Sequence, residues 1–315
     1  MSKESRATLK DVARASGVST ATVSFVLNDT PGQTIPEPTR ARVREAARDL
    51  GYTPHRLARA LREGSSRVVL LKLGDLRPGH SLDGFVTGMR HELGRHGYTL
   101  VVHPGGADHA ALAELVATLA PRAVVDLARP YQGDVDDGET EGSDGGWTDG
   151  LAAHTMTQLT YLAERGHANV AFAVPGEAAA GGLAALRLRY AREAWSAVGA
   201  GDLHRVSVAT GSASTADALR ELRAMHPEVS AVAAFDDEAA FRVLAAMADL
   251  DLSAPGDLAV IGFDDGPYGA LWRPSLTSVH IDGEGFGRQA ARAALGIEPQ
   301  EPAAPTSVVV QRGST

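Results

Sequence analysis

The chain has 315 residues, a formal net charge of −9 at pH 7 and no cysteine, which excludes disulfide frameworks and thiolate metal sites and suits a reducing compartment. It contains no apolar run of about 18 residues, and its N-terminus lacks the apolar core of a signal peptide, so we expect a soluble, cytoplasmic protein with no membrane partner. This length accommodates a small domain and one larger, two-lobed body.

The charge is unevenly distributed along the chain. Residues 1–64 carry 11 Lys and Arg against 7 Asp and Glu, whereas the remaining residues carry 19 against 32. A basic segment on an acidic body attracts phosphate to that segment. The difference is modest, so it agrees with a nucleic-acid partner but does not identify one.

Two short helices joined by a tight turn are predicted between Thr8 and Asn28. Thr8 and Asp11 have the spacing of a capping box at the start of the first helix. Gly17 can adopt the positive φ that ends a helix, and Ser19 can cap the next one. Small and hydroxyl-bearing residues open the second helix, which suits entry into a DNA major groove, although an ordinary helical hairpin has the same pattern.

A third helix is predicted at about 38–50, after a loop rich in Pro and Gly, with Gly51 as its stop. Its inward-facing residues are expected to be Val43, Ala46, Ala47 and Leu50. Three helices of this size form a compact all-α headpiece.

The stretch DVARASGVSTATVSFVLN closely resembles the headpiece of the lactose-repressor/galactose-repressor (LacI/GalR) family of bacterial transcription factors. The flanking TRARVREAARDLGYTPHRLARAL extends the resemblance through the third helix and into a hinge. The resemblance implies a sequence-specific DNA-binding regulator of the repressor type, which binds a palindromic double-stranded operator as a homodimer.

The same resemblance assigns DNA contacts to the second helix. The base-reading positions are Thr20, Ala21 and Phe25. The positions that contact phosphates are Ser19, Thr22, Ser24 and Asn28. Phe25 departs from the family pattern, in which an arginine or another polar residue is usual; its ring suits contact with a thymine methyl, or it indicates an altered operator preference.

Residues 56–62 form a segment that is too short to be a stable helix on its own in water. By resemblance it folds when two copies meet on DNA, with Leu61 wedged between base pairs in the minor groove and Ala58 where the two hinge helices touch. The alternative is a plain linker helix.

From Arg67 the pattern changes to buried strands that alternate with amphipathic helices, which predicts parallel α/β sheets. Strands are predicted at about 68–73, 97–102, 122–127, 206–208 and 229–234, and residues 166–173 are predicted as a helix end followed by a strand. Helices are predicted at about 82–96, 110–119, 148–164, 183–199, 214–225 and 235–250.

An acidic stretch interrupts this pattern. Residues 132–150 contain seven acids, six glycines and no basic residue, so they are expected not to bury enough apolar surface to become ordered. Family members have another helix and an apolar strand in this place. The first lobe is therefore expected to be one strand short.

The C-terminal half carries two further motifs of the family. Residues 254–265, APGDLAVIGFDD, are very close to its second-lobe signature, and residues 274–279 resemble its crossover back to the first lobe. The resemblance implies an all-α helix-turn-helix headpiece on an α/β body, which has the two-lobed fold of the periplasmic sugar-binding proteins with parallel sheets.

The domain boundaries follow from these motifs. We expect a DNA-binding headpiece at 1–54, a hinge helix and linker at 55–66, and an effector-binding and dimerisation body at 67–315. Within the body, the first lobe is expected at about 67–150 plus 278–295, and the second at about 151–277 plus the C-terminal strand.

The resemblance also implies an effector site between the lobes. Arg187, Asp236 and Asp264 occupy the positions at which family members bind ligand hydroxyls, and the ends of parallel strands are where such folds bind ligands. The alternative for the two aspartates is that they only cap the helices that follow them.

The loop at 74–81 is expected to face the same cleft from the first lobe. Asp75, His80 and Ser81 are its candidate contacts. The alternative for His80 is a solvated loop histidine.

No nucleophile–base constellation, phosphate-binding glycine loop or metal-ligand spacing of histidines is found, so we expect no enzyme activity, no catalytic or metal-binding residue and no cofactor. We interpret the chain as a homodimeric DNA-binding regulator whose cleft takes a small sugar or sugar phosphate. Two alternatives stay open: a regulator that works without a small-molecule effector, and a sugar-binding protein of the transport class.

Overall fold

The computed structural model describes residues 7–27, 32–52, 66–74, 76, 79–105, 109–127, 146–176, 181–198, 201–209, 212–298 and 307–315. The chain divides into two compact units, Met1–Ser66 and Arg67–Thr315. Four residues with predicted roles lie outside the described ranges, namely Asn28, Ala58, Leu61 and Asp75.

The described part of the first unit contains three helices, α1 (Leu9–Ser16), α2 (Thr20–Leu27) and α3 (Glu37–Asp49). The predicted capping box is present, with the Thr8 backbone N–H donating to the Asp11 carboxylate at 2.9 Å. Gly17 ends α1 at φ 69°. Ser19 Oγ accepts a hydrogen bond of 3.1 Å from the backbone N–H of Thr22, so the chain turns directly from α1 into a capped α2.

The three helices share one apolar core. Its buried residues are Val12, Ala13, Val23, Val26, Val43 and Ala47. Leu50 is 40% exposed, so the prediction that it faces inward is wrong. The reason is that α3 ends at Asp49 and the chain turns away at Leu50 and at Gly51, whose φ is 59°.

The second unit alternates strands and helices, as predicted. The strands are β1 (Val68–Lys72), β2 (Thr99–His103), β3 (Ala123–Asp126), β4 (Val170–Pro175), β5 (Leu203–Val208), β6 (Ala231–Ala234), β7 (Ala259–Ile261), β8 (Ser278–Ile281) and β9 (Ser307–Val310). The helices are α4 (His80–Arg95), α5 (His109–Leu119), α6 (Trp147–Glu164), α7 (Gly181–Ala197), α8 (Ser212–Met225), α9 (Asp237–Asp249) and α10 (Gly283–Leu295).

The strands form two parallel sheets and one antiparallel pair. The first sheet has the order β2-β1-β3, the second has the order β5-β4-β6-β7, and β8 pairs with β9. Parallel sheets need cover on both faces, and the buried runs of β4 and β6 agree with this. The predicted parallel α/β body is confirmed.

Helices α4 and α10 pack closely on the first sheet. A Cβ added at Gly88 of α4 would lie 2.1 Å from the backbone oxygen of Glu284, and one added at Gly287 of α10 would lie 2.0 Å from that of Phe85. Glycine is therefore required at both positions, because any side chain would push the two backbones apart.

The C-terminal end of the acidic stretch is ordered. Trp147 opens α6, and its ring packs edge-on against Phe85 at 5.2 Å and Phe286 at 5.9 Å. The prediction that residues 132–150 stay unordered is therefore wrong at this end, because one aromatic side chain supplies the apolar surface that the acids lack. Residues 128–145 lie outside the described ranges, and the expectation of a missing strand stays a prediction.

The chain passes from one sheet to the other after β8. Val279 and Ile281 of β8 pack in the core that covers the second sheet, whereas Ala290 and Ala291 of α10 pack in the core of the first sheet. Ile281, the last residue of β8, lines the cavity described below. Within the described ranges, no helix is long and apolar enough to cross a membrane.

Candidate functional site

Helix α2 presents its first turn to solvent. Ser19, Thr20 and Ala21 are exposed, and Thr22 is partly buried. Ser24 and Phe25, which are also predicted to contact DNA, are partly buried on the same helix. Thr20 and Ala21 are thus accessible at the end of the helix that resembles a recognition helix. The Ser19 hydroxyl caps the N-terminus of α2 through its hydrogen bonds with Thr22. This capping role explains a serine at position 19 whether or not it contacts DNA.

A cavity of ≈ 690 Å³, its open mouth included, lies between the two sheets of the second unit. Its apolar lining comes from α4, α6 and α7, from the segments that follow β6 and β7, and from the end of β8; it includes Leu82, Trp147, Leu151, Leu183, Phe235, Phe263 and Ile281. Its polar lining is Ser81, His154, Arg187, Asp236 and Asp264. A mostly apolar cavity with a few convergent polar groups is typical of a small-molecule site. The structure thus brings the predicted effector contacts Ser81, Arg187, Asp236 and Asp264 to one place.

Arg187 lies buried on α7, at the base of this cavity. Its guanidinium stacks on the ring of Phe263 at 3.5 Å and donates to the backbone oxygen of Phe235 and to Gln158 Oε1, the latter at 3.1 Å. Burial lowers the pKa of Arg187 to about 9, against the opposing effect of the Asp264 and Asp236 charges. Its Nε has no hydrogen-bond partner among the described residues, so one donor remains for a ligand.

Asp264 follows β7 and links the two sides of the cavity. Its carboxylate accepts a hydrogen bond from Ser81 Oγ of α4, and its backbone N–H donates to Val279 O at 2.9 Å. Burial raises the pKa of Asp264 to about 7, aided by the Asp237 charge. Turns, not a helix, follow Asp264, so the helix-capping alternative does not apply to it.

Asp236 does cap a helix. Its carboxylate accepts a hydrogen bond of 2.7 Å from the backbone N–H of Ala239 in the first turn of α9. The side chain also lines the cavity. The capping alternative therefore describes Asp236 correctly without removing it from the site.

The remaining first-lobe candidate lies away from the cavity. His80 is the exposed first residue of α4 and is not part of the cavity lining, in agreement with its solvated alternative.

Comparison with known proteins identifies the chain. Residues 8–55 match the family model of the bacterial regulatory proteins of the lacI family, and residues 159–315 match that of a periplasmic binding protein-like domain. The ribose operon repressor of Bacillus subtilis is 30% identical over an alignment of 332 positions, gaps included, which covers 96% of this chain and 95% of that protein. The chain belongs to the LacI family.

Solved structures share the fold of this LacI-family chain. The Lac repressor dimer bound to operator and the anti-inducer ONPF matches with a TM-score of 0.72 at 19% identity, over 98% of this chain and 99% of that one. The transcriptional regulator CelR in complex with cellobiose matches with a TM-score of 0.60 at 24% identity, over 98% and 100%.

Family membership decides the class of activity. Because the headpiece model and the full-length relative are those of transcriptional regulators, this LacI-family protein is a DNA-binding transcriptional regulator and not an enzyme, as predicted.

Asp237 is a structural residue of the site that the sequence did not reveal. Its buried carboxylate accepts hydrogen bonds from the backbone N–H groups of Phe263 (2.9 Å) and Gly266 (2.7 Å) and from Ser278 Oγ (2.5 Å). Burial raises its pKa to about 6 against these hydrogen bonds. Asp237 thereby fixes the loop that carries Asp264.

A second missed group lies on α6, where Trp147, Leu151 and His154 all line the cavity. Both ring nitrogens of His154 are buried and have no hydrogen-bond partner within the described ranges, and burial, with a contribution from Arg187, lowers its pKa to about 4. The spacing i, i+4, i+7 was the available signal, since it places three residues on one helical face.

The structure also brings together three potential metal ligands that are distant or unremarkable in the sequence. His204, His226 and Glu228 form one group on the second sheet, away from the cavity. The prediction of no metal ligands was based on sequence spacing, which cannot detect a group formed by a strand and a separate turn.

Proposed function

We propose that this LacI-family regulator is a cytoplasmic homodimeric repressor that binds a palindromic operator and whose operator affinity is set by a neutral sugar in the cavity between its two sheets. The observation that carries the proposal is the polar group Ser81, Arg187 and Asp264, which joins both sides of an otherwise apolar cavity. In this proposal residues 1–54 form the headpiece, 55–66 the hinge and 67–315 the body.

The lining favours a sugar by its chemistry. A guanidinium donates to hydroxyl oxygens and carboxylates accept from hydroxyl groups, and the ring of Trp147 offers an apolar surface to a sugar ring. Two solved structures with the same fold agree, since one contains cellobiose and another contains the anti-inducer ONPF.

The charges favour a neutral sugar over a sugar phosphate. Asp236 and Asp264 both line the cavity, and Arg187, the one buried cation of the described lining, already donates to Phe235 and Gln158. A phosphate would therefore face two carboxylates, and only the Nε nitrogen of this guanidinium has no partner among the described residues.

The Ser81–Asp264 hydrogen bond can couple ligand binding in the cavity to operator affinity. A ligand hydroxyl that bonds to Asp264 competes with Ser81, and it thereby changes how the two sides of the cavity are held together. An effector shifts a conformational equilibrium only by its difference in affinity between the two arrangements.

On the DNA side, we assign base contacts to Thr20, Ala21 and Phe25. Phosphate contacts are assigned to Ser19, Thr22, Ser24 and Asn28, and minor-groove contacts to Ala58 and Leu61. The exposure of the first turn of α2 supports the first group. The match of residues 8–55 to the headpiece of lacI-family regulators argues against the alternative of a transport-class sugar-binding protein.

The test is calorimetric titration of the full chain with neutral mono- and disaccharides and with their phosphates, with and without operator. We expect one neutral sugar to bind, to lose affinity in Asp264→Ala and to change operator affinity. Tight binding that Asp264→Ala leaves unchanged would refute the site. Binding by no sugar would favour the alternative of a regulator without a small-molecule effector.

A further inference from the structure

The two histidines and the glutamate on the second sheet lie on rigid elements. His204 belongs to β5, which is the edge strand of the sheet order β5-β4-β6-β7 among the described residues. His226 and Glu228 flank Pro227 in the turn that follows α8, where the backbone N–H of Val229 donates to His226 O at 3.1 Å. Proline at the second position fixes such a turn, so this pair is held in place before any ligand arrives.

The distances between the three side chains fit a shared cation. Glu228 Oε1 lies 3.4 Å from His226 Nδ1 and 3.8 Å from His204 Nε2, and all three ligand atoms lie within 4.8 Å of one another. In a tetrahedral zinc site with bonds of about 2.0–2.1 Å, neighbouring ligand atoms are about 3.3 Å apart. The three atoms are therefore at most about 1.5 Å farther apart than such a site requires.

The protein itself does not satisfy this group. Nε2 of His204 is buried and has no hydrogen-bond partner in the part of the chain that the structure describes. The two imidazole rings are stacked, with centroids 3.8 Å apart and planes 32° from parallel, so their nitrogens lie side by side. A buried polar atom without a partner is costly, and a cation bound at the edges of the two rings, through the nitrogen lone pairs, would remove that cost.

We propose that His204, His226 and Glu228 bind one divalent transition-metal ion, with Zn²⁺ as the best fit. Two neutral imidazoles and one carboxylate are ligands that Zn²⁺ accepts, whereas Mg²⁺ and Ca²⁺ take all-oxygen sets. The carboxylate offsets part of the ion's charge. Glu228 and His226 are partly exposed, which leaves a path for the ion and a fourth position for water.

The site is distinct from the effector cavity, since none of its three residues belongs to the cavity lining. The bound ion would tie the edge strand β5 to the turn between α8 and β6. We therefore expect the ion to stabilise the second sheet without competing with a ligand of the cavity.

The test uses the full chain after removal of metal by a chelator. Calorimetry with Zn²⁺ is expected to show one ion per chain, and His204→Gln, His226→Gln and Glu228→Gln are each expected to weaken binding by at least about 10-fold, since even outer-shell partners of metal ligands cost about 10–100-fold. Equal binding by the wild type and these variants, or no stoichiometric binding by the wild type, would overturn the proposal.

The matched control is His96→Gln. His96 Nε2 lies 3.5 Å from Glu92 Oε1, a similar distance, but among the described residues this pair belongs to no group of three ligands, and Arg292 binds Glu92 at 2.9 Å. The control should bind Zn²⁺ as the wild type does. Histidine-ring NMR of the unmutated chain gives a readout that does not depend on variants: substoichiometric Zn²⁺ should shift His204 and His226 first, and an earlier shift of other histidines would refute the site.

Discussion

Ser81 donates its hydroxyl hydrogen bond to the carboxylate of Asp264, which connects the first turn of α4 on the first sheet to the loop after β7 on the second. Gly79 leaves room for this carboxylate, since a Cβ at that position would lie 2.5 Å from Asp264 Oδ2. The carboxylate thus lies between the two sides of the cavity. Its protonation state becomes part of the stability of the second unit.

Stability is expected to depend on pH through this carboxylate. The pKa values of Asp264, about 7, and Asp237, about 6, both stand above the ordinary 3.8, chiefly because of burial. An acid whose pKa is raised on folding binds its proton more tightly in the native state, so the free energy of unfolding falls as the pH rises from about 4 to about 7. We expect Asp264→Asn, which keeps an oxygen acceptor for Ser81, to remove much of this decline.

Urea unfolding at pH 5 and pH 8 measures the effect. Relative to the wild type, Asp264→Asn should be more stable at pH 8 than at pH 5 by about 1–3 kcal/mol. Parallel profiles of unfolding free energy against pH for the two proteins would show that folding does not raise the pKa of Asp264.

The neighbours Asp236 and Asp237 are expected to differ in their effects. Asp237→Ala should lower the free energy of unfolding by about 2–5 kcal/mol, because the N–H groups of Phe263 and Gly266 lose their acceptor in a buried place. Asp236→Ala removes the N-cap of α9 and should cost about 1 kcal/mol. Chemical denaturation of both variants decides the matter, and equal losses would contradict the assigned roles.

Local signals in the sequence were sufficient for local structure. The capping box at Thr8, the positive φ of Gly17 and the cap at Ser19 depend on residues three or four positions apart, and all three are confirmed. The alternation of strands and helices in the body is set in the same way by hydrophobic periodicity. The prediction that Leu50 faces inward was wrong because a shift of one residue in the position of a helix end changes the direction of the side chain there.

Contacts across the fold were not accessible from such signals. Asp237 accepts hydrogen bonds from residues that lie 26 to 41 positions further along the chain. Ser278 is close to it because β7 and the start of β8 lie side by side, with a parallel bridge between Ile261 and Thr277. His204 and His226 meet because β5 and the turn after α8 lie side by side. Only the resemblance to a family pointed to Arg187 and Asp264 in advance, because it carries three-dimensional information that periodicity lacks.

The glycines of α4 give a further test. Gly88→Ala places a methyl 2.1 Å from Glu284 O, so α4 and α10 must separate, and we expect a loss of about 2–4 kcal/mol in the free energy of unfolding. Gly94→Ala, on the same helix, meets no atom within 4 Å and should stabilise the protein by about 0.5–1 kcal/mol. Thermal unfolding distinguishes the two, and similar shifts in Tm would contradict the packing argument.

Phe25→Ala tests whether the unusual phenylalanine of α2 reads a base. An apolar ring that contacts a thymine methyl contributes to specific binding but neutralises no phosphate. We expect specific operator affinity to fall by about 1–3 kcal/mol and the slope of affinity against salt concentration to stay unchanged. A reduced salt slope in fluorescence anisotropy would assign Phe25 a different role.

Leu61→Ala tests the hinge, for which the resemblance alone supplies the expectation. A leucine wedged between base pairs unstacks one step, and the bent DNA then makes further contacts with the protein. Its removal is therefore expected to weaken binding to the palindromic operator by about 1–3 kcal/mol while leaving binding to random DNA unchanged, because non-specific binding depends on phosphates. Anisotropy with operator and with scrambled DNA of equal length measures both.

Arg62→Ala is the matched control in the adjacent position: loss of a cation should weaken both kinds of binding and reduce the salt slope. If Leu61→Ala instead lowers affinity equally for both DNAs, Leu61 supports the fold of the hinge and does not enter the groove.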